Sequence, residues 1–167
     1  MFDYEIDELM QSNKYYIKTI ALDEFNSIIN YIKKHKDQKN YSFIFNTIKR
    51  TNYKEPGHWI GVYISKQDKS FEYFNPFGEY PNGTILKEIK KLMYYIQTLF
   101  PYLLKFKVNR VKQEGDLSTY CGLYCIKFLL SRSSGISFKD ATNFPKIKQN
   151  EKTMKWMSKF IEKFGFI

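Results

Sequence analysis

Cysteine is nearly absent from this sequence: its 167 residues hold two, Cys121 and Cys125. Two thiols cannot build a disulfide framework, and four apart in one segment they do not make a Cys-rich zinc site. Histidine is as scarce. His35 and His58 stand far from both thiols, so no metal-ligand spacing is formed and no metal or organic cofactor is expected. Alanine occurs twice, at Ala21 and Ala141, against abundant Lys, Ile, Asn, Tyr and Phe. That bias fits an AT-rich coding genome and says nothing about mechanism. Long apolar runs are missing too, for none approaches the ~20 residues that span a bilayer. The opening, MFDYEIDELM, is acidic and lacks the basic-then-apolar build of a signal peptide. The expectation is a soluble protein that is neither secreted nor membrane-bound, with its thiols reduced.

What is present is aromatic and basic. Aromatics make up 19% and apolar residues 43% of the chain, which excludes a disordered polymer. No repeat, low-complexity tract or Gly/Pro/Ser linker divides it, so residues 1–167 read as a single domain. Residues 15–20 read as a short strand, and Leu22, Phe25, Ile28, Ile29 and Ile32 as a helical stripe over 22–34. Strands follow at 41–48, 58–64 and 70–75. A helix over 84–99 carries Ile85, Ile89, Leu92, Ile96 and Leu99 and stops at Pro101, and 102–111 reads as a further strand. A helix of about ten residues starts at Cys121, with Gly135 beyond its end as a left-handed cap. A last helix is expected over 150–164. Regular β-α-β alternation is lacking, so the class is α+β: a small mixed, largely antiparallel sheet flanked by helices.

Three places carry chemistry. If SKQD is the turn between the strands at 58–64 and 70–75, Lys69 pairs with Ile64, Phe71 with Val62, Tyr73 with Ile60 and Asn75 with His58. Opposed side chains on one face lie roughly 4.5–5.5 Å apart at Cβ. The Asn75 amide could then hold one imidazole nitrogen and leave the other free as a base. Each residue also has a plainer reading, His58 as a structural histidine and Asn75 as the turn residue before Pro76. Cys121 opens an apolar helix after a polar loop, where unpaired N–H groups and the helix dipole favour a thiolate. A buried free Cys is equally at home as a small hydrophobe, which is the better reading of Cys125. Gly122 leaves room for a substrate backbone to pass beside the sulfur. Gln113, eight residues before Cys121, offers an amide N–H to a developing oxyanion, or is solvated loop surface.

These segments together (GHWIGVYI, FEYFNPFG, then Gln and STYCGLYC) resemble the adenovirus-type cysteine endopeptidases, which share a fold with the ubiquitin-like-modifier proteases. His58-Trp59 matches that family's His-Trp at a strand start. Phe74-Asn75-Pro76-Phe77-Gly78 matches its Phe-acid-Pro-Phe-Gly run, and Cys121-Gly122-Leu123-Tyr124 its nucleophile helix. The resemblance runs from about residue 40 to about residue 130. It implies Cys121 as nucleophile, His58 as base, Asn75 as the group that orients it and Gln113 at the oxyanion hole. Trp59 and Gly122 would border a narrow groove that admits little more than Gly. Two departures stand out: Asn75 replaces a carboxylate, and the loop from Gln113 to Cys121 is one residue longer. The resemblance also implies a monomeric endopeptidase of virophage or Polinton type. It would cleave capsid or core precursors at Gly-containing sites, in the virion or in the host cytoplasm or virus factory. The net charge of +10, with runs at Lys105, Lys107, Arg110 and Lys112 and from Lys146 to Lys163, suits packaged DNA as activator or guide. The alternatives are a protease acting on the Gly-Gly tail of ubiquitin or a ubiquitin-like modifier, and a basic nucleic-acid-binding domain without activity.

Overall fold

The computed structural model describes residues 1–52, 57–112, 121–142 and 159. The expected helix over 150–164 and its lysines lie outside these residues, except Lys159, which is exposed. In chain order come helix α1 (Asp3–Met10), strand β1 (Tyr16–Ile20), helix α2 (Phe25–Lys34), strands β2 (Asn40–Asn46), β3 (Trp59–Ser65) and β4 (Ser70–Phe74), helix α3 (Gly83–Leu99), strand β5 (Lys105–Val108), and helices α4 (Cys121–Ser133) and α5 (Phe138–Thr142). The five strands form one sheet in sequential order. β3 pairs antiparallel with β2 and with β4, while the outer pairs β1·β2 and β4·β5 are parallel. Parallel neighbours need a crossover, and α2 and α3 supply one at each end of the sheet.

Period-two alternation divides the sheet into two buried faces. Phe43, Phe45, Ile60, Val62, Ile64, Phe71 and Tyr73 pack with Phe25, Ile28 and Ile32 of α2 and with Ile89, Leu92 and Ile96 of α3. Ile44, Trp59, Tyr63 and Phe74 face the other way, onto Ile6 and Met10 of α1 and Cys125, Phe128 and Leu129 of α4. Helix α1 was not evident beforehand. Its apolar residues Ile6, Leu9 and Met10 are buried at helical spacing, but acidic residues outnumber them in the segment. Asp7 ties it down by accepting the Thr19 N–H at 2.8 Å.

The β3–β4 turn differs from the expected one. The loop is Lys66–Lys69, not Ser65–Asp68, and Ser65 pairs with Ser70, Ile64 with Phe71 and Val62 with Tyr73. The Ser65 hydroxyl accepts the Asp68 N–H at 3.0 Å and Lys69 takes a positive φ of 53°, which closes the turn one residue later. Every partner therefore moves by two. An even shift keeps each side chain on its face, so His58 and Asn75 stay on the same side as diagonal rather than direct neighbours.

Helix α4 is held against this sheet at both ends. Near its start the Cys125 thiol donates to the Trp59 carbonyl at 3.3 Å. Near its end Arg132 donates from Nε to Glu72 Oε1 at 2.7 Å and from Nη2 to Oε2 at 2.9 Å. Arg132 also reaches Asp68 and the Ile136 carbonyl. Glu72 is fully buried, and Ser70 donates to it at 2.6 Å. Hydrogen bonds and charge from Glu72 and Asp68 outweigh burial and raise the Arg132 pKa, so the guanidinium stays charged. Removing one partner of such a pair leaves a buried charge uncompensated. Arg132→Ala should cost about 3–5 kcal/mol in urea unfolding. The double variant Arg132→Met, Glu72→Leu should recover most of it, because no charge is then left buried.

Candidate active site

His58 stands immediately before β3 and Asn75 immediately after β4, so both occupy one end of the sheet. His58 Nε2 lies 2.8 Å from Asn75 Oδ1. The same oxygen accepts the Phe77 backbone N–H at 2.9 Å. A backbone N–H can only donate, so it fixes which end of the Asn75 amide faces the turn. The imidazole must then donate from Nε2, which leaves Nδ1 with a free lone pair. Phe77 stacks on the ring, centroids 4.2 Å apart and planes 13° from parallel, and restricts its rotation. Burial pulls the His58 pKa below its ordinary 6.5, against the upward pull of Asn75 and of the Glu79 carboxylate.

The Asn75 to Gly78 segment is a tight turn closed by Gly78 N–H to Asn75 carbonyl at 2.8 Å. Gly78 has φ +72°, and a Cβ there would lie 2.9 Å from the Lys112 backbone nitrogen, so a side chain is excluded both by conformation and by space. Asn109, just past β5, holds this turn from the other side. Its Oδ1 accepts the Asn75 N–H at 2.8 Å and its Nδ2 donates to the Asn75 carbonyl at 2.6 Å. The side-chain amide thus acts as one more residue of strand pairing, beyond the Tyr73–Val108 pair. Sequence reasoning missed Asn109. Its only signal is that an Asn falls inside the strand expected over 102–111, where that residue is uncommon.

Cys121 is the first residue of α4 and is buried, 8% exposed. The contact of α4 with β3 puts Cys121 in one buried cluster with Trp59, the residue after His58. Gly122 and Trp59 face each other closely: a Cβ on Gly122 would sit 3.4 Å from Trp59 Cδ1. The space over Gly122 expected for a substrate holds Met1 instead, whose Sδ would be 2.7 Å from that Cβ. Gln113 lies outside the described residues, so the expected oxyanion donor has no position here. The structure thus holds an oriented imidazole just before β3 and a thiol at the first residue of α4, which packs on β3; these are the two groups a cysteine peptidase uses.

The comparisons agree with that class. Residues 9–164 match the family model described as Ulp1 protease family, C-terminal catalytic domain. The chain belongs to this family of cysteine peptidases. A search of curated protein sequences finds no match. Among solved structures it is similar to an ASFV protease, at 14% identity and a TM-score of 0.67 over 89% of this chain and 63% of that one. It is also similar to the SUMO protease Ulp1 with its catalytic cysteine oxidised to a sulfinic acid, at 14% identity and a TM-score of 0.59 over 92% and 73%. ChlaDub1 of Chlamydia trachomatis follows at 14% identity and 0.58 over 81% and 66%. At these identities the likeness is one of fold, and the chain spans less than two thirds of the ASFV protease.

The two upward and downward influences on His58 can be separated. Asn75→Leu keeps the volume and removes the acceptor, so the His58 pKa should fall further below 6.5, as read by NMR titration of the imidazole. A depressed histidine pKa means that the folded state binds fewer protons than the unfolded one between the two values. This contribution to stability is therefore full above pH 6.5 and is lost as pH falls toward the folded value. The loss should be wider in Asn75→Leu than in the parent.

Proposed function

We propose that this chain is a cysteine endopeptidase that cleaves viral capsid or core precursors at Gly-containing sites during virion maturation. The observation that carries the peptidase reading is the His58–Asn75 hydrogen bond at 2.8 Å, at the start of the strand on which the helix opened by Cys121 packs. His58 Nδ1 takes the Cys121 proton, and the thiolate attacks the carbonyl carbon of the scissile bond. Backbone N–H groups at the start of α4, with Gln113, stabilise the oxyanion, at about 3 kcal/mol per donor. The tetrahedral intermediate collapses, the C–N bond breaks, and His58 returns its proton to the leaving amine. Water then hydrolyses the thioester, and the thiol is regenerated. Trp59 and Gly122 border the groove through which the substrate backbone passes.

Burial favours an uncharged imidazole before substrate arrives, and Asn75 only partly offsets it because it brings no negative charge, so His58 works as a general base rather than half of a standing ion pair. Viral precursors are favoured as substrates by the resemblance of the Phe74–Gly78 run to the adenovirus-type enzymes. The charge of +10 supports DNA as a guide, with the protein at work in the virion or virus factory. A modifier protease is the second reading, favoured by the family match itself.

The test is alkylation of Cys121 by iodoacetamide across the pH range around His58 titration, followed by intact mass. His58→Ala should slow it by about 10²-fold or more at neutral pH. Asn75→Asp places a carboxylate on Nε2, raises the His58 pKa and should speed alkylation at acid pH, because the thiolate–imidazolium pair then forms there. Equal rates in all three proteins would refute the peptidase reading. Cleavage of Gly-containing precursor peptides, with ubiquitin and SUMO conjugates left intact, separates the first substrate class from the second.

A further inference from the structure

The path between Trp59 and Gly122 proposed for the substrate backbone is not empty. Met1 lies in it, held by two contacts that have different chemistry. The Trp59 indole Nε1–H donates to the Met1 carbonyl at 3.2 Å. The Met1 thioether sits over Gly122, in the space a Cβ would need. Met1 also packs, half-buried, against the cluster that contains Cys121, Trp59 and Ile6.

The approach to this position is fixed rather than loose. The Glu5 carboxylate accepts the Phe2 N–H at 2.6 Å, which sets the start of α1. Asp3 meets Arg50 at 2.5 Å, and Arg50 also meets Glu24 at 2.7 Å. These exposed pairs contribute little stability, but they aim the chain at the groove. Beyond Met1 the surface changes character: Phe2 and Tyr4 are exposed and stack on each other, centroids 5.7 Å apart.

Trp59 and Gly122 are the two residues between which a substrate backbone would run to reach the sulfur. Met1 uses the hydrogen-bond donor of the first and the face of the second, which Ile6 also borders. We infer that Met1 is a built-in occupant of the substrate groove, and that an extended peptide with Gly beside the scissile bond binds by displacing it. The inference rests on the peptidase reading for what the displacing chain is. The self-contact itself is independent of that reading. Met1 acts on binding alone: molecules with Met1 seated cannot take substrate, so apparent affinity falls by the fraction in which it has swung out. The chemical step, once substrate is in place, is unaffected.

The test compares the full chain with Met1→Gly, which keeps the carbonyl that Trp59 holds but removes the thioether, and with a chain beginning at Phe2, which removes both. All three retain α1 and its Glu5 and Asp3 contacts, and thermal melts check that they fold alike. Each is treated with iodoacetamide, small enough to reach Cys121 past Met1, and with a Gly-Gly peptide bearing a C-terminal thiol-reactive vinyl ester. The expected result is an unchanged iodoacetamide rate in all three proteins. The half-saturating concentration of the peptide probe should fall about fivefold or more in both variants, with its limiting rate unchanged. The same half-saturating concentration in all three would overturn the inference. So would a rise in the variants, which would make Met1 part of the wall that holds substrate. Failure of the peptidase reading shows separately, as iodoacetamide labelling that does not depend on His58.

Discussion

The site depends on one close approach, that of helix α4 to strand β3. A Cβ on Gly61 would lie 3.6 Å from Cys125 Cβ and from Phe128 Cδ1, ordinary contact distance, so the helix rests on the strand with no side chain between. The Cys125 thiol then reaches the Trp59 carbonyl, and Phe128 stacks on Phe74 of β4 with centroids 4.6 Å apart. Arg132 anchors the far end of the same helix to the buried Glu72. A helix fixed at both ends cannot slide along the sheet. Its first residue, Cys121, is therefore held at the end of the sheet where β3 begins and where His58 stands. Precision at a reacting group comes from such support rather than from the group itself.

The parts of this arrangement legible in the sequence are those that periodicity or local chemistry announces. Aromatic and β-branched residues between turn signals mark three strands along 41–48, 58–64 and 70–75, and their faces follow from parity. The wrong register still put His58 and Asn75 on one side, because a slip of two preserves parity where a slip of one would not. Cys121 was legible from the change between a polar loop and an apolar helix. The rest depends on contacts distant in sequence. Asn109 meets Asn75 across 34 residues and Arg132 meets Glu72 across 60, and no local pattern relates either pair. Charged residues in a chain rich in Lys read as surface, so a fully buried Glu within β4 gives no sign of itself. Met1 over Gly122 is of the same kind: only the fold of α1 against β1 and α4 brings the two together.

Asn75 in place of a carboxylate has a consequence for the whole site. Its position is 5% exposed, and a charge there would carry a heavy desolvation cost unless the imidazole were charged as well. The amide avoids that cost. It fixes the ring through Oδ1, is itself fixed by the Phe77 N–H, and has both backbone groups taken by Asn109. An orienting group so firmly held supplies geometry without supplying charge. The imidazole it orients is pulled toward its neutral form by burial.

The pull of His58 toward its neutral form and the burial of Cys121 act in the same direction. A neutral imidazole offers no charge to hold a thiolate, and the thiolate is the form that adventitious electrophiles and oxidants attack. A cysteine 8% exposed is slow for a second reason, its own burial. A substrate backbone that displaces Met1 would change both at once. It excludes water from the groove and puts a carbonyl where the helix N–H groups can stabilise its developing charge, so proton transfer to His58 is coupled to attack rather than preceding it. On that account the two residues proposed to shape what the enzyme accepts, Trp59 and Gly122, are the same two that seat Met1.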